Sequence, residues 1–321
     1  MHVLPLSSDP SIGRGINAGI GVTFVLLSSL AFASTPAFAQ LAFAARLNGV
    51  SLVSFRCLIA AMVLWMLARA FDEPAIAIGL RVRLFLLGAL LFGPQMALYF
   101  AALQRLDTSI TVAVVYVYPA VVALIVAIRL RRPPPLTEVM LLVLALVGVG
   151  VIALVHGQAP NSGSGMVLAA VTAVIFAIYV LASDALVRDV PPILAASVVL
   201  AGSGFSALLI ASISRKLALP NGQAGWLYLG LHGLVIVPVG LASYYAGLKR
   251  LGATRASVVD TSQPAIASVI GVAALGEHLE PLQILGIMAI VIAVLGLPIL
   301  AAGRARRHTV VTQEAAAKPT P

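Results

Sequence analysis

The chain has 321 residues, 61% of them hydrophobic and 10% charged, with a mean hydropathy of +1.07. Soluble domains carry about a quarter of their residues as charge, so this composition excludes a soluble globule and points to an integral membrane protein. The net charge of +9 does not indicate a nucleic-acid partner, because the 20 basic residues are scattered in ones to threes between apolar runs, and the single Cys57 excludes intrachain disulfides and cysteine-rich metal sites.

In chain order, residues 1–15 read as a polar tail. The first apolar run, 16–39, ends in Ala37-Phe38-Ala39-Gln40, which imitates a cleavage site. It is longer than the ~7–15 residues of a signal core and follows a single arginine, so it reads as a helix. At ~20 residues per crossing, further spans are expected near 49–68, 84–104, 108–128, 137–156, 164–184, 192–213, 226–248, 254–275 and 281–301. Turn signals such as Asn48-Gly49, Pro133-Pro134-Pro135, Pro191-Pro192 and Pro220-Asn221-Gly222 separate them. Backbone in lipid must satisfy its own polar groups, and the runs are too long for barrel strands, so the spans are helices. Residues 303–321 form a basic, then polar, tail.

Ten crossings put both termini on one side. With that side inside, fifteen Lys and Arg residues lie in inner segments, against Arg46, Arg105, Arg215 and Lys216 in outer ones. The positive-inside rule then predicts a multi-pass protein of the inner (plasma) membrane with cytoplasmic termini.

The chain also contains one stretch twice. Ala97-Leu98-Tyr99-Phe100-Ala101-Ala102-Leu103-Gln104-Arg105-Leu106 recurs 145 residues later as Ala242-Ser243-Tyr244-Tyr245-Ala246-Gly247-Leu248-Lys249-Arg250-Leu251, and Tyr118-Pro119-Ala120 then falls on Gln263-Pro264-Ala265. Two repeats are expected, over 16–156 and 157–302. Each holds five crossings, an odd number, so the second enters the bilayer inverted. Inverted repeats recur in secondary transporters, where one half rocks against the other around a midplane site.

Five stretches carry a family likeness: Phe32-Ala33-Ser34-Thr35-Pro36; Phe55-Arg56-Cys57-Leu58-Ile59-Ala60-Ala61; Tyr99 to Pro119; Phe176-Ala177-Ile178-Tyr179; and Pro264 through Gly276-Glu277 to Gly286. In these the chain resembles the ten-helix EamA-type exporters of the drug/metabolite transporter superfamily. It departs from them in lacking the Trp-Gly pair of helix 1 and in carrying the Gly-Glu element once only. The resemblance implies a proton- or exchange-driven carrier of small metabolites, often amino acids. The implied partners are a small-molecule substrate, the lipid bilayer, a coupled proton and, in one arrangement, a second copy of the chain as a homodimer. No cofactor and no nucleic acid is implied.

An ionisable residue inside a span costs about 2.5–3.5 kcal/mol at the helix centre, which singles out Arg56 and Asp260. Asp260 stands beside Thr261 and Gln263, and Pro264 offers no N–H to the Asp260 carbonyl. A carboxylate and a freed carbonyl would suit a proton or an ammonium group. The stripe Ser257, Asp260/Thr261, Pro264 and Ser268 also fits simple helix packing. In the first copy Pro119 frees the carbonyl of Val115, and Tyr116 and Tyr118 supply aromatic edges. Both Pro119 and Pro264 are candidate helix breaks, or mere kinks. Arg56 needs an acceptor, either an anion or a snorkelled exit to water, and an ion pair with Asp260 looks axially strained. Gln95, Tyr99, Tyr179, Tyr244 and Tyr245 are cavity candidates, and His232 reads as structural. Without a phosphate loop or an HExxH motif, ATP drive and metalloprotease chemistry are not indicated. A membrane-embedded enzyme or a lipid-handling protein remains the alternative to a carrier.

Overall fold

The structure, a computed structural model, describes residues 10–106, 108–131, 135–156, 163–275 and 280–296. Among them there is no strand. Helix α1 is built from Pro10–Ala33 and Thr35–Ala44, α2 is Gly49–Ala70, and α3 spans Ile78–Leu103 with a π-turn at Gly88–Phe92. Helix α4 is broken into Thr108–Val115 and Tyr118–Leu130, and α5 is Leu136–His156. The second half follows the same order. Helix α6 is Gly163–Leu186, α7 is Pro192–Ile213, and α8 is Gly222–Leu251 with a π-turn at His232–Ile236. Helix α9 is broken into Ala253–Asp260 and Ser262–Leu275, and α10 is Pro281–Gly296. Seven of these (α1–α4 and α6–α8) are each long and apolar enough to cross a bilayer, and α5, α9 and α10 complete a ten-helix membrane protein.

Three helices differ in their boundaries from those expected, and α1 already begins at Pro10, within the segment expected to be a polar tail. Helix α1 runs on to Ala44 because Pro36 interrupts it without ending it: Phe38 N–H donates to Ser34 O at 3.1 Å and the helix resumes. Helix α3 begins at Ile78, taking in Arg81 and Arg83, which are exposed and carry their charge on flexible stems at a helix end. Helix α8 spans Gly222–Leu251 rather than 226–248. Glu277 and residues 297–301 lie outside the described residues.

The outside of the bundle is apolar, with Leu90, Leu124, Ile128, Met140 and Ile213 more than half exposed. The inside carries small hydroxyls instead. Ser197 donates to Ala61 O at 2.9 Å across α7 and α2, and Ser203 donates to Gly88 O at 3.2 Å across α7 and α3. Such residues let transmembrane helices approach closely, since lipid gives no hydrophobic drive between them.

The packing repeats itself. Helix α1 lies along α8, as α6 lies along α3; α3 crosses α7, as α8 crosses α2; and α2 and α7 make the most extensive contact with each other. At one such crossing a side chain at Gly21 would strike Leu251 and Arg250, and one at Gly165 would strike Leu106 and Arg105. Leu106 and Arg105 are the first-copy counterparts of Leu251 and Arg250, so the same close approach is built twice. The major helix pairings join one half to the other.

Candidate functional site

The breaks of α1, α4 and α9 gather at one place. Proline removes a backbone donor and crowds the preceding turn, so Pro36, Pro119 and Pro264 each sit just past a break, at Ser34, at Tyr116-Val117 and at Thr261. The two π-turns immediately precede Pro94 and Pro238. Around the three breaks, with Phe92 from the end of the α3 π-turn, lies a cavity of about 110 Å³, the same order as the ~150 Å³ cavity that admits benzene.

From α1 its wall takes Phe32, Ala33, Thr35 and Pro36; from α2, Arg56; from α3, Phe92, Gln95, Met96 and Tyr99; from α4, Val112, Val115, Tyr116 and Tyr118. The second half supplies Phe176 and Tyr179 of α6, Leu241 and Tyr244 of α8, and Asp260, Gln263, Pro264 and Ala267 of α9. The α9 residues follow i, i+3, i+4, i+7 spacing, one face of a helix.

Asp260 is 2% exposed and fully engaged on its side-chain oxygens. Tyr118 OH donates to Oδ2 at 2.7 Å, Gln263 Nε2 donates to Oδ1 at 2.7 Å, and Ser29 Oγ donates to Oδ1 at 3.3 Å. Buried carboxylates are tolerated when hydrogen-bonded in this way. The three donors come from α4, α9 and α1, so the carboxylate ties together both halves. An aromatic column continues from Tyr118: its ring centroid is 4.5 Å from Phe176, Phe176 stacks at 5.8 Å on Tyr179, and Tyr179 lies 4.9 Å from Phe92. Tyr179 OH and Tyr245 OH are 2.7 Å apart.

Arg56 occupies another part of the wall. It is 2% exposed, with Nη2 3.0 Å from Met96 Sδ, Nη1 3.5 Å from His232 Nδ1, and its carbon 4.8 Å from the Phe100 ring centroid. Among the described residues the two ion pairs are Arg188–Asp184 and Arg255–Glu138, so Arg56 and Asp260 share the cavity without pairing.

The structure thus brings Asp260, Tyr116, Tyr118, Gln263, Arg56, Tyr99, Tyr244 and Pro264 together, along with Gln95 and Tyr179. It does not bring Thr261 or Pro119 to the wall. The Thr261 hydroxyl donates to Val258 O at 2.6 Å, turned onto its own helix, and Ser257 does likewise to Thr254 O at 2.9 Å. Pro119 is buried behind Tyr118 in sequence, leaving the break itself at the cavity. Tyr245 is fully buried behind the wall, its hydroxyl 2.7 Å from that of Tyr179 and its ring centroid 6.4 Å from that of Tyr244.

Sequence reasoning missed Ser29, Thr35 and Phe176 as parts of the site, and His232 as a neighbour of Arg56. Ser29 lies 231 residues from Asp260, and a serine in an apolar helix carries no signal of its distant partner. For Thr35 a signal existed, since it precedes Pro36 in the middle of a span.

A profile of the EamA-like transporter family matches residues 19–154 and again 163–298. No curated protein sequence matches. A solved structure described as "Crystal structure of protein" superposes with a TM-score of 0.73, covering 90% of this chain and 99% of that one at 20% identity, a likeness of fold alone.

Proposed function

The chain belongs to the EamA-like transporter family, and from that membership we propose that it is a secondary carrier that exports amino acids or similar small metabolites by alternating access. The observation that carries this reading is Asp260, a buried carboxylate in the wall of a cavity to which both halves contribute, held by donors from α1, α4 and α9. A carboxylate there can take up a proton or receive a solute ammonium. Either event exchanges the bonds that tie the two halves together, which is what coupling solute to conformation requires. Tyr116, Tyr99 and Tyr244 provide a mostly apolar lining with polar edges, suited to a small amphiphilic solute.

The test is flux in proteoliposomes under an imposed proton gradient, across a panel of amino acids. Asp260→Asn keeps the shape and one acceptor oxygen but cannot titrate. It should abolish gradient-driven flux while the purified protein stays monodisperse. Undiminished coupled flux in that variant would remove Asp260 from the mechanism.

A further inference from the structure

We propose that Arg56, with Gln95 and Thr35, forms an anion-receiving subsite in the same cavity, separate from Asp260 and built for a small monovalent anion. The proposal rests on the carrier reading only for the source of that anion.

A guanidinium always carries its charge and offers five N–H donors. In Arg56 these donors meet a thioether sulfur, an imidazole nitrogen and the Cys57 thiol, while the ring of Phe100 covers one face. All four are neutral or weak acceptors. No carboxylate among the described residues lies within ion-pair distance of it, and the cavity's own carboxylate is bonded to Tyr118, Gln263 and Ser29. A charge removed from water without a paired counter-charge is strongly unfavourable, so a site of this kind is completed by a ligand.

His232 does not complete it. Arginine only donates, so Nδ1 must accept, and the ring proton is then on Nε2. The imidazole is a neutral support that turns the guanidinium without cancelling its charge.

Two further groups stand at the same wall. Gln95 is 1% exposed and Thr35 6%, and both Gln95 Oε1 and Thr35 Oγ1 are buried without a hydrogen-bond partner. Both residues line the cavity with Arg56. An amide can present either its oxygen or its NH₂ group and a hydroxyl can rotate, so each can donate to an anion. Three neighbouring helices of the first half, α1, α2 and α3, therefore supply a guanidinium, an amide and a hydroxyl that the protein itself leaves incompletely used.

Cavity size and Asp260 limit the ligand. About 110 Å³ admits a small group, and a carboxylate in the same chamber disfavours a multiply charged one. Guanidinium geometry matches a planar two-oxygen anion. The shared chemistry is a small monoanion, supplied either by a carboxylate on the transported solute or by a free inorganic ion such as chloride.

The experiment measures binding to the purified full-length protein by thermal stabilisation, without a gradient. Ionic strength is held with gluconate, too bulky for the cavity. The probes are propionate, chloride and propylamine. Propionate should bind the wild type, with its affinity reduced about tenfold or more in Arg56→Gln, the loss expected for one charge-assisted pair. Propylamine affinity should be unchanged in that variant. Thr35→Val, which only removes an unpartnered hydroxyl, should weaken propionate about threefold and serves as the reading if Arg56→Gln does not fold. Chloride that competes with propionate in the wild type and not in Arg56→Gln identifies a free co-ion as the occupant; propionate without chloride binding identifies the solute's carboxylate. No propionate or chloride binding to the wild type, or equal binding to wild type and variants, overturns the subsite. A protein that binds propionate and moves no solute refutes the carrier reading and leaves the subsite standing.

Discussion

At the scale of single residues, Tyr118 is the side chain on which the most depends. Its hydroxyl gives Asp260 a 2.7 Å bond from the opposite half, and its ring begins the aromatic column through Phe176. Tyr118→Phe keeps the ring and removes the donor, leaving a buried carboxylate oxygen short of a partner. That loss is worth about 1–3 kcal/mol, so the variant should unfold at lower temperature in detergent and show reduced coupled flux. Tyr179→Phe, whose hydroxyl faces Tyr245, should leave coupling nearer to the wild type; equal effects of the two would deny Tyr118 its special place. What the sequence could say of the site follows the same logic. Arg56 and Asp260 were legible because a charge inside an apolar run has no cheap explanation. Ser29, Thr35 and the setting of His232 were not, because periodicity describes one helix and their importance lies in which helix stands opposite. Thr261 was misleading for a related reason. Next to a break, its hydroxyl finds a carbonyl within its own helix and turns away from the cavity.

At the scale of elements, helical breaks at prolines were legible and π-turns were not. Pro119 and Pro264 occupy equivalent places in the two copies, and the structure interrupts α4 and α9 at equivalent places too. A π-turn depends on one extra residue accommodated within a helix that is otherwise regular, a register that composition does not encode. It falls in α3 and in α8 just before a proline, facing α7 and α2 respectively. If these breaks position side chains and let helix halves move separately, making one helix continuous should slow the carrier without unfolding it. Pro264→Ala restores a backbone donor to the turn of Asp260. We expect an unfolding temperature equal to or above the wild type and an initial exchange rate in proteoliposomes reduced about tenfold, that is by roughly 1.4 kcal/mol in the barrier. An unaltered rate would reduce the proline to a bystander.

At the scale of the whole molecule, the duplication was readable from the 145-residue offset, but the way the copies embrace was not. Repeated sequence indicates two similar units; it does not indicate that α1 lies along α8, that α6 lies along α3, or that α2 and α7 share the largest contact. Those pairings mean that neither half encloses a core by itself. An interlocked pair of this kind can be cut between the halves and still recover its contacts. Residues 1–156 and 163–321 expressed apart should be degraded, and expressed together should co-purify at near one-to-one stoichiometry; stable separate halves would contradict the interlock. The same embrace has a consequence in time. Helices α1 to α4 leave the ribosome before their principal partners exist, so α1 and α2 must wait in the bilayer until α8 and α7 have been made. During that interval the groups that will line the cavity, Arg56 among them, stand in lipid with half a wall. The burden of guarding this protein's unfinished first half therefore falls on the insertion machinery, and substitutions that only slow synthesis of the second half should lower its yield without altering a single native contact.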